Sequence, residues 1–590
     1  MKRWLLKRTK VDTAVMAEEL GIRQATACVL ANRGLLARKD AVHFLHGGME
    51  ALEDPLQMKD MEKGITYLAQ AIQDRKKIAV YGDYDVDGVM STSILYRTIL
   101  RCGGEAVFYV PHRQKEGYGL NVQAVEALAE EGIGLLCTTD NGIAAIQEIE
   151  RAKELGMDVV VIDPHEPAFQ ENETEREDIL PQADALIDPK QRSCGYPFKM
   201  LCAGGLAYKA AILLLRRFGI TDERLEKQLI TFAAVATVCD IVDLMGENRA
   251  IVKMGLAEMQ KTENLGLRVL IEETGLAGKE ISEYHFGFVI GPCINATGRL
   301  ESGRQAVELF CTENEAEARE FAKNLVQLNK ERKKLTEEAT ERAKEALENS
   351  GLRDKVLVLY DPTIHESIAG IVAGRIKDAY YRPTILITGS EEGAKGSGRS
   401  IEGYHLFEAL LAEKELFTRF GGHAMAAGLS LPVEHIPVLR ERLNKTCTLT
   451  AEQMTPVLRL EKALSFAEID LTLAAELESL SPFGKGNPTP LFASKGVRVD
   501  KLGLIGKNKD ILKLILREEK SGICLPAVSF DGYAPLREML RELYPAEDCD
   551  TIISRGKLLR PLDIVYTVEI NTYQGLSSVQ LIVKDFRFAE

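Results

Sequence analysis

The chain has 590 residues, of which 45% are apolar and 27% charged, and a formal net charge of −14. At about 150 residues per domain, that length predicts roughly four domains with real cores, and no apolar run is long enough to cross a bilayer. The acidic balance argues against a general nucleic-acid binder, whose phosphate contacts need Lys and Arg. It leaves room for one basic cleft and for carboxylates that hold metal.

Residues 1–65 show helical periodicity and no strand signal, so they predict an amino-terminal helical segment. From Lys76 the pattern changes. KKIAVYG, EAVFYVPHR, GLLCTTDNG and VVVID read as strands, with MSTSILYRTILRC, VQAVEALAEEG and AAIQEIERAKELG as the helices between them. Short β-rich runs alternating with helices predict βαβ units and a parallel sheet. Residues 196–275 read as mainly helical, and 66–311 as one α/β domain. The stretch from Thr312 to Asn349 lacks Gly and Pro and is rich in Ala, Glu, Lys and Leu. It predicts one long connecting helix within 312–350. KVLVLY, IAGIVAGRIKDAYY, RPTILIT and AKGSGRS predict a second α/β domain over 351–450. After that, LFASKGVRVDKLGLIG, DILKLILREE, ICLPAVSF and DIVYTVEINTYQGLSSVQLIVKDF alternate at period two. They predict a small β-barrel over 451–590. The 11 cysteines form no C-x-x-C pair. The opening MKRWLLKRTK lacks the apolar core of a signal peptide. Both features point to reduced thiols in a cytoplasm.

In a doubly wound sheet, ligands bind beyond the carboxyl ends of the strands. The residues that follow each predicted strand therefore belong together. They are Asp83, Asp85 and Asp87 in YGDYDVDG, Asp140 in TTDNG, and Asp163 and His165 in VVVIDPHEP; Asp240 ends an apolar run in FAAVATVCDIVD. A single Asp in such a place is ordinarily a helix N-cap. That does not explain three acids at i, i+2 and i+4 in one loop, because charges that close repel unless a cation neutralises them. Convergent carboxylates with an imidazole suit Mn2+ or Mg2+. Two such ions would activate a water and stabilise the leaving oxygen of a phosphoryl group.

These four segments resemble the successive motifs of the DHH phosphoesterase family. GPCINATGRL, HESIAGIVAGRI, GSGRS, GGHAMAAG and PFGKGNPTPLF resemble the further motifs of its RecJ branch, exonucleases that degrade single-stranded DNA from the 5′ end. The resemblance implies a parallel-sheet DHH domain, a connecting helix, a second α/β domain and an OB-type β-barrel. It implies release of 5′ mononucleotides by divalent-metal-assisted hydrolysis, in DNA repair and recombination, with two ions at the site. By position, Asp85, Asp87, Asp140 and Asp240 match metal ligands, with Asp140 bridging, while Asp83 stands behind them. Arg113, Ser397 and Arg399 match the pocket for the 5′ phosphate, Asn295 and Arg299 residues placed along the DNA, and Tyr118 a ring that stacks on the terminal base. His165 matches a residue that addresses substrate or a transition-state oxygen. His423 is read in two ways, as meeting a phosphate across the cleft or as capping the glycine turn; His365 is read as structural. The implied partner is single-stranded DNA with a 5′ end, bound by a monomer that works with helicase or single-strand-binding proteins and without a membrane. Two other readings share the motifs: a phosphodiesterase of short oligonucleotides or cyclic dinucleotides, and a non-catalytic single-strand binder.

The sequence departs from the family pattern at one position. The third motif, Asp-His-His in the family, is Asp163-Pro164-His165. The resemblance makes the missing histidine a ligand of the second metal, a role Pro cannot fill. Three arrangements are open: a weaker second site on Asp87, Asp140 and Asp240, entry of His165 into the vacancy, or an empty second site.

Overall fold

The computed structural model describes residues 2–9, 11–113, 115–171, 176–349, 352–390, 393–545 and 548–589. The chain forms two compact units, one of residues up to Gly47 together with those from Pro456 onward, the other of Gly48–Thr455.

The second unit contains the predicted parallel sheet. Its five strands lie in the order Glu105–Tyr109, Lys77–Tyr81, Ile133–Thr139, Asp158–Ile162, Ala185–Ile187, and every pairing is parallel. Numbered along the chain, that order is 2-1-3-4-5. It reverses between the first and third strands, and such a switch point opens a crevice at their carboxyl ends. The strands read as unbroken apolar runs because both faces are covered. Ile78, Val80, Leu135 and Cys137 enter the core on one face, and Ala79, Tyr81, Leu136 and Val161 that on the other. The fifth strand, ALI, is too short to stand out from its sequence.

The predicted connecting helix is a single element, Glu315–Asn349, of 35 residues, about 52 Å long at 1.5 Å per residue. Ala318, Ala322 and Leu325 enter the core of the first α/β layer, while Ala339, Ala343 and Leu347 enter that of the second. The second sheet has the order Arg419–His423, Ala426–Leu431, Gly393–Arg399, Thr384–Ser390, Leu357–Tyr360. Only its last pairing is parallel.

The other unit holds the β-barrel. Phe492–Ile505 pairs with both Ile511–Glu518 and Leu562–Tyr573, which closes the sheet on itself. Alternate burial along Ile511–Glu518 shows one face turned inward. The expectation of no strand within 1–65 needs correction. Arg3–Leu6 is a strand, parallel to Val457–Leu460. Trp4 anchors it: the ring lies 4.4 Å beneath the Arg587 guanidinium, and its Nε1 donates to Asp585 at 2.7 Å. Three apolar residues carry no period of their own; the partner strand, far along the chain, supplies the pairing. Among the described residues, no helix is long and apolar enough to cross a membrane.

Candidate metal and phosphate site

The first acidic loop leaves the central strand Lys77–Tyr81 and folds back on the helix Val86–Arg101. Two glycines permit this. A Cβ on Gly82 would lie 1.9 Å from the Thr92 hydroxyl, and one on Gly88 would lie 2.5 Å from the Asp83 carbonyl oxygen. Asp85 caps the helix, its Oδ1 accepting the Gly88 N–H at 3.0 Å. Asp140 follows the neighbouring strand in a left-handed turn, φ 63°. Asp83, Asp85 and Asp140 each bring a carboxylate oxygen within 4.8 Å of the others. Asp83, expected behind the ligands, thus stands in the first group, and its buried Oδ1 has no hydrogen-bond partner.

Asp87 lies outside that triangle. Its two oxygens accept the N–H groups of Ala203, at 2.8 Å, and Gly204, at 2.7 Å, at the start of the helix Ala203–Arg217. Asp240 ends the helix Glu223–Cys239. The charges converge. Burial first, and Asp85 next, push the Asp83 carboxyl up to about 8 and that of Asp87 up to about 6. Burial followed by Asp87, Asp85, Asp83 and Asp240 drives Asp140 well above the usual carboxylate range. Solvent still reaches Asp240, yet the protein around it, with Asp87 and Asp85, raises its carboxyl too. An unpartnered buried oxygen among mutually repelling carboxylates fits hard divalent cations such as Mn2+ or Mg2+.

The imidazole side is built on the next strand. Both oxygens of Asp163 accept hydrogen bonds from its neighbours. Its Oδ2 accepts the Ile143 N–H at 2.8 Å, while Oδ1 lies 3.1 Å from the His165 N–H and 2.7 Å from the ring Nδ1. Burial pulls the His165 ring down, but the Asp163 bond and charge, then Asp240 and Asp87, push it up to about 9. The acids around His165 thus favour its protonated ring while they carry no cation. The Tyr118 hydroxyl donates to the Asp140 carbonyl at 2.8 Å, and its ring meets that of His165 edge-on at 5.9 Å. Pro164 is buried. Sequence reasoning missed Asp188, which follows the fifth strand and is fully buried. One of its oxygens has no partner, and burial raises its carboxyl to about 7. The signal was present: ALIDP repeats the VVVIDP pattern of a strand running into Asp-Pro.

The arginines gather beside the acids. Arg113 lies over the Tyr84 ring, 5.1 Å from its centre, and Tyr84 sits between Asp83 and Asp85. Gly298 and Gly303, in and just after the GPCINATGRL segment, seat Tyr84; Cβ atoms there would come 2.5 and 3.1 Å from its backbone. Arg113 and Ser397 line one cavity of about 240 Å3 with Ser367 and Lys395. Gly370 makes room for the rest, because a Cβ there would lie 2.6 Å from Arg399 Nη2 and 3.5 Å from Ser397 Oγ. Arg299 donates to the Ser367 carbonyl at 2.6 Å. Burial and the neighbouring Arg113 lower the guanidinium of Arg299 to about 10 and lower that of Arg399 as well. Asn295 is half-buried on the helix Gly291–Leu300, which also carries Arg299. A cluster of cations that depress one another is the complement of a phosphate.

Two histidines stay outside. His423 is exposed at the end of its strand, and its Nδ1 accepts the Met425 N–H at 3.2 Å. His365 caps the helix Glu366–Tyr380 through the Ser367 N–H. A larger cavity, about 740 Å3, holds Arg101 and Arg224. Both already pair with acids, Asp222 and Glu263.

A doubly wound domain with carboxylates at its switch point and an arginine pocket beside them is the architecture of a metal-dependent phosphoesterase. The family models agree: residues 77–237 match the DHH family N-terminal domain, 353–448 the DHHA1 domain and 460–585 the RecJ OB domain. The single-stranded-DNA-specific exonuclease RecJ of Bacillus subtilis is 37% identical over 593 residues, covering 100% of this chain and 71% of that protein. The Escherichia coli protein of the same name is 30% identical over 98% of each chain. The crystal structure of RecJ in complex with Mn2+ from Thermus thermophilus is similar over 100% of this chain and 80% of that one, at 26% identity and a TM-score of 0.79. The chain belongs to the RecJ family of exonucleases.

Proposed function

We propose that the chain hydrolyses single-stranded DNA from the 5′ end and releases 5′ mononucleotides, in repair and recombination. The carrying observation is that Arg113 belongs to both halves of the site. It rests on Tyr84, inside the acidic loop, and lines the same cavity as Ser397. A strand whose 5′ phosphate sits on Arg113, Ser397 and Arg399 presents its next phosphate to the acids.

The residues then take these roles. Asp83, Asp85 and Asp140, with Asp87 and Asp240 near them, would hold divalent cations, whose chemistry there would be to activate water and neutralise developing phosphoryl charge. Asp163 orients His165 through Nδ1, toward a non-bridging or leaving oxygen of the scissile phosphate. The Tyr118 hydroxyl holds the Asp140 turn, and its exposed ring offers a face to the terminal base. Asn295 and Arg299 line the strand's path. His423, tied to its own turn, serves the sheet more than the chemistry.

Pro164 supports a second, weaker-activity reading. With Asp163 committed to Ile143 and His165, the third motif offers the second ion no ligand in the family manner, and His165, beside Asp240 and Asp87, is the group left facing it. The domains we propose are a DHH domain over 66–311, the connecting helix 312–350, an associated α/β domain over 351–450 and the barrel from 451, with the amino-terminal segment 1–65 divided between the two units. A cytoplasmic monomer acting beside helicase or single-strand-binding proteins completes the reading.

The test is product analysis with Mn2+ on end-labelled DNA. Mononucleotides from the 5′ end of single strands, with duplex resistant, support the proposal. Preference for a dinucleotide over a long strand, or binding without hydrolysis under any divalent metal, overturns it.

A further inference from the structure

Tyr284 and Phe288 are exposed aromatic rings, 59% and 66% accessible, yet they are ordered against each other. Their rings stack with centres 4.9 Å apart and planes 23° apart. Two large aromatic side chains stacked and left mostly exposed among the described residues are an unusual surface. They stand on a helical stretch that runs through Glu283–His285, widens to a π turn at Phe286–Ile290 and continues as Gly291–Leu300. Pro292 accounts for the wide turn. It lacks the N–H that would bond the Phe288 carbonyl, and its ring crowds that oxygen.

The position of the pair along this stretch is informative. Between Ile290 and Gly298 only Pro292 and Asn295 are not buried. Tyr284, Phe288, Pro292, Asn295 and Arg299 follow one another at steps of three or four residues, so they share one face. That face starts at stacked rings and ends at Arg299, which is in the arginine cluster. The buried side of its wide turn packs on the residue that precedes Asp240: the Cys239 thiol donates to the Phe286 carbonyl at 3.4 Å, and a Cβ on Gly291 would lie 2.5 Å from Cys239 Sγ.

We infer that Tyr284 and Phe288 form a stacking platform for the bases of the single strand, downstream of the nucleotide being removed. This rests on the exonuclease reading and deepens it. The platform lies roughly 16 Å from Arg299 along the helix at 1.5 Å per residue, so the bases it receives are several nucleotides from the 5′ end. Aromatic faces take any base, which suits an enzyme without sequence preference, and they take only unpaired ones. Tyr284 and Phe288 are thus positioning residues that select single strands and keep the scissile phosphate at the acids.

Two measurements test this. In Phe288→Trp, single-stranded DNA quenches the new indole emission, read against the constant signal of Trp4 in the native chain. In steady state, Phe288→Ala raises KM for a long strand about tenfold, equivalent to about 1.4 kcal/mol of stacking, and changes kcat much less. A single baseless nucleotide walked along the strand costs the native chain a similar factor at one position and costs Phe288→Ala nothing further there. Unquenched emission, or equal sensitivity of both chains to the baseless nucleotide at every position, overturns the platform. If the native chain hydrolyses no single-stranded DNA with Mn2+, the exonuclease reading fails instead, so the two failures are distinct.

Discussion

The guanidinium of Arg113 lies 5.1 Å from the ring centre of Tyr84, the residue that separates Asp83 from Asp85. On the roles proposed above, the cation for the 5′ phosphate is thereby tied to the loop that carries the candidate metal ligands, and packing would set the distance between the 5′ phosphate and the bond to be cut.

Arg113→Ala should therefore raise KM for 5′-phosphorylated strands by about tenfold or more and remove the preference for a 5′ phosphate over a 5′ hydroxyl. Arg113→Lys should restore only part of it, because an ammonium lacks the planar fork and stacks poorly on Tyr84. Steady-state rates on the two end chemistries measure this. A 5′ preference retained in Arg113→Ala would remove Arg113 from the pocket.

Asp140→Asn should lower kcat at least about 100-fold, since even groups that only orient ligands cost about 10- to 100-fold. Asp83→Asn should fall nearly as far, because the Asp83 oxygen stands with Asp85 and Asp140. EDTA should abolish hydrolysis, and Mn2+ should restore it. Near-native turnover in Asp83→Asn would return that residue to a supporting role.

Stability without metal should depend on pH in a defined sense. Folding raises Asp83 from 3.8 to about 8 and Asp87 from 3.8 to about 6. The folded chain therefore binds more protons than the unfolded chain between these values, and each group's contribution to stability falls as pH rises. The loss begins above about pH 4 and is complete, for Asp83, near pH 8. The gap in Tm between Mn2+-loaded and EDTA-treated protein should widen across that window. A gap that is constant or narrows there would show that burial and the neighbouring charge do not raise these carboxyls in the metal-free protein.

Pro164→His should increase activity with Mn2+ about tenfold or more, by supplying an imidazole at the position where the motif resemblance implies a ligand. Metal titration of the initial rate reads the second site directly, with half-saturation moving to lower Mn2+. No change in either quantity would mean that His165 or Asp188 already completes the site.

Much of this protein is legible along its sequence. Period and length mark the strands around Val80 and Val160 and the 35-residue helix Glu315–Asn349, because burial on both faces, or an unbroken run of helix formers, leaves a local signature. The acids after those strands are equally visible, and ALIDP should have added Asp188 to them. Three matters were settled only by tertiary structure. Lys77–Tyr81 lies beside Ile133–Thr139, which brings Asp85 to Asp140. Arg3–Leu6 finds its partner at Val457–Leu460. Arg299 meets the Ser367 carbonyl and comes near Arg113. The reason is the same in each case. A residue's own neighbours fix its helix or strand propensity, but strand order and the meeting of like charges depend on pairings between distant segments, and those pairings leave no period in the chain.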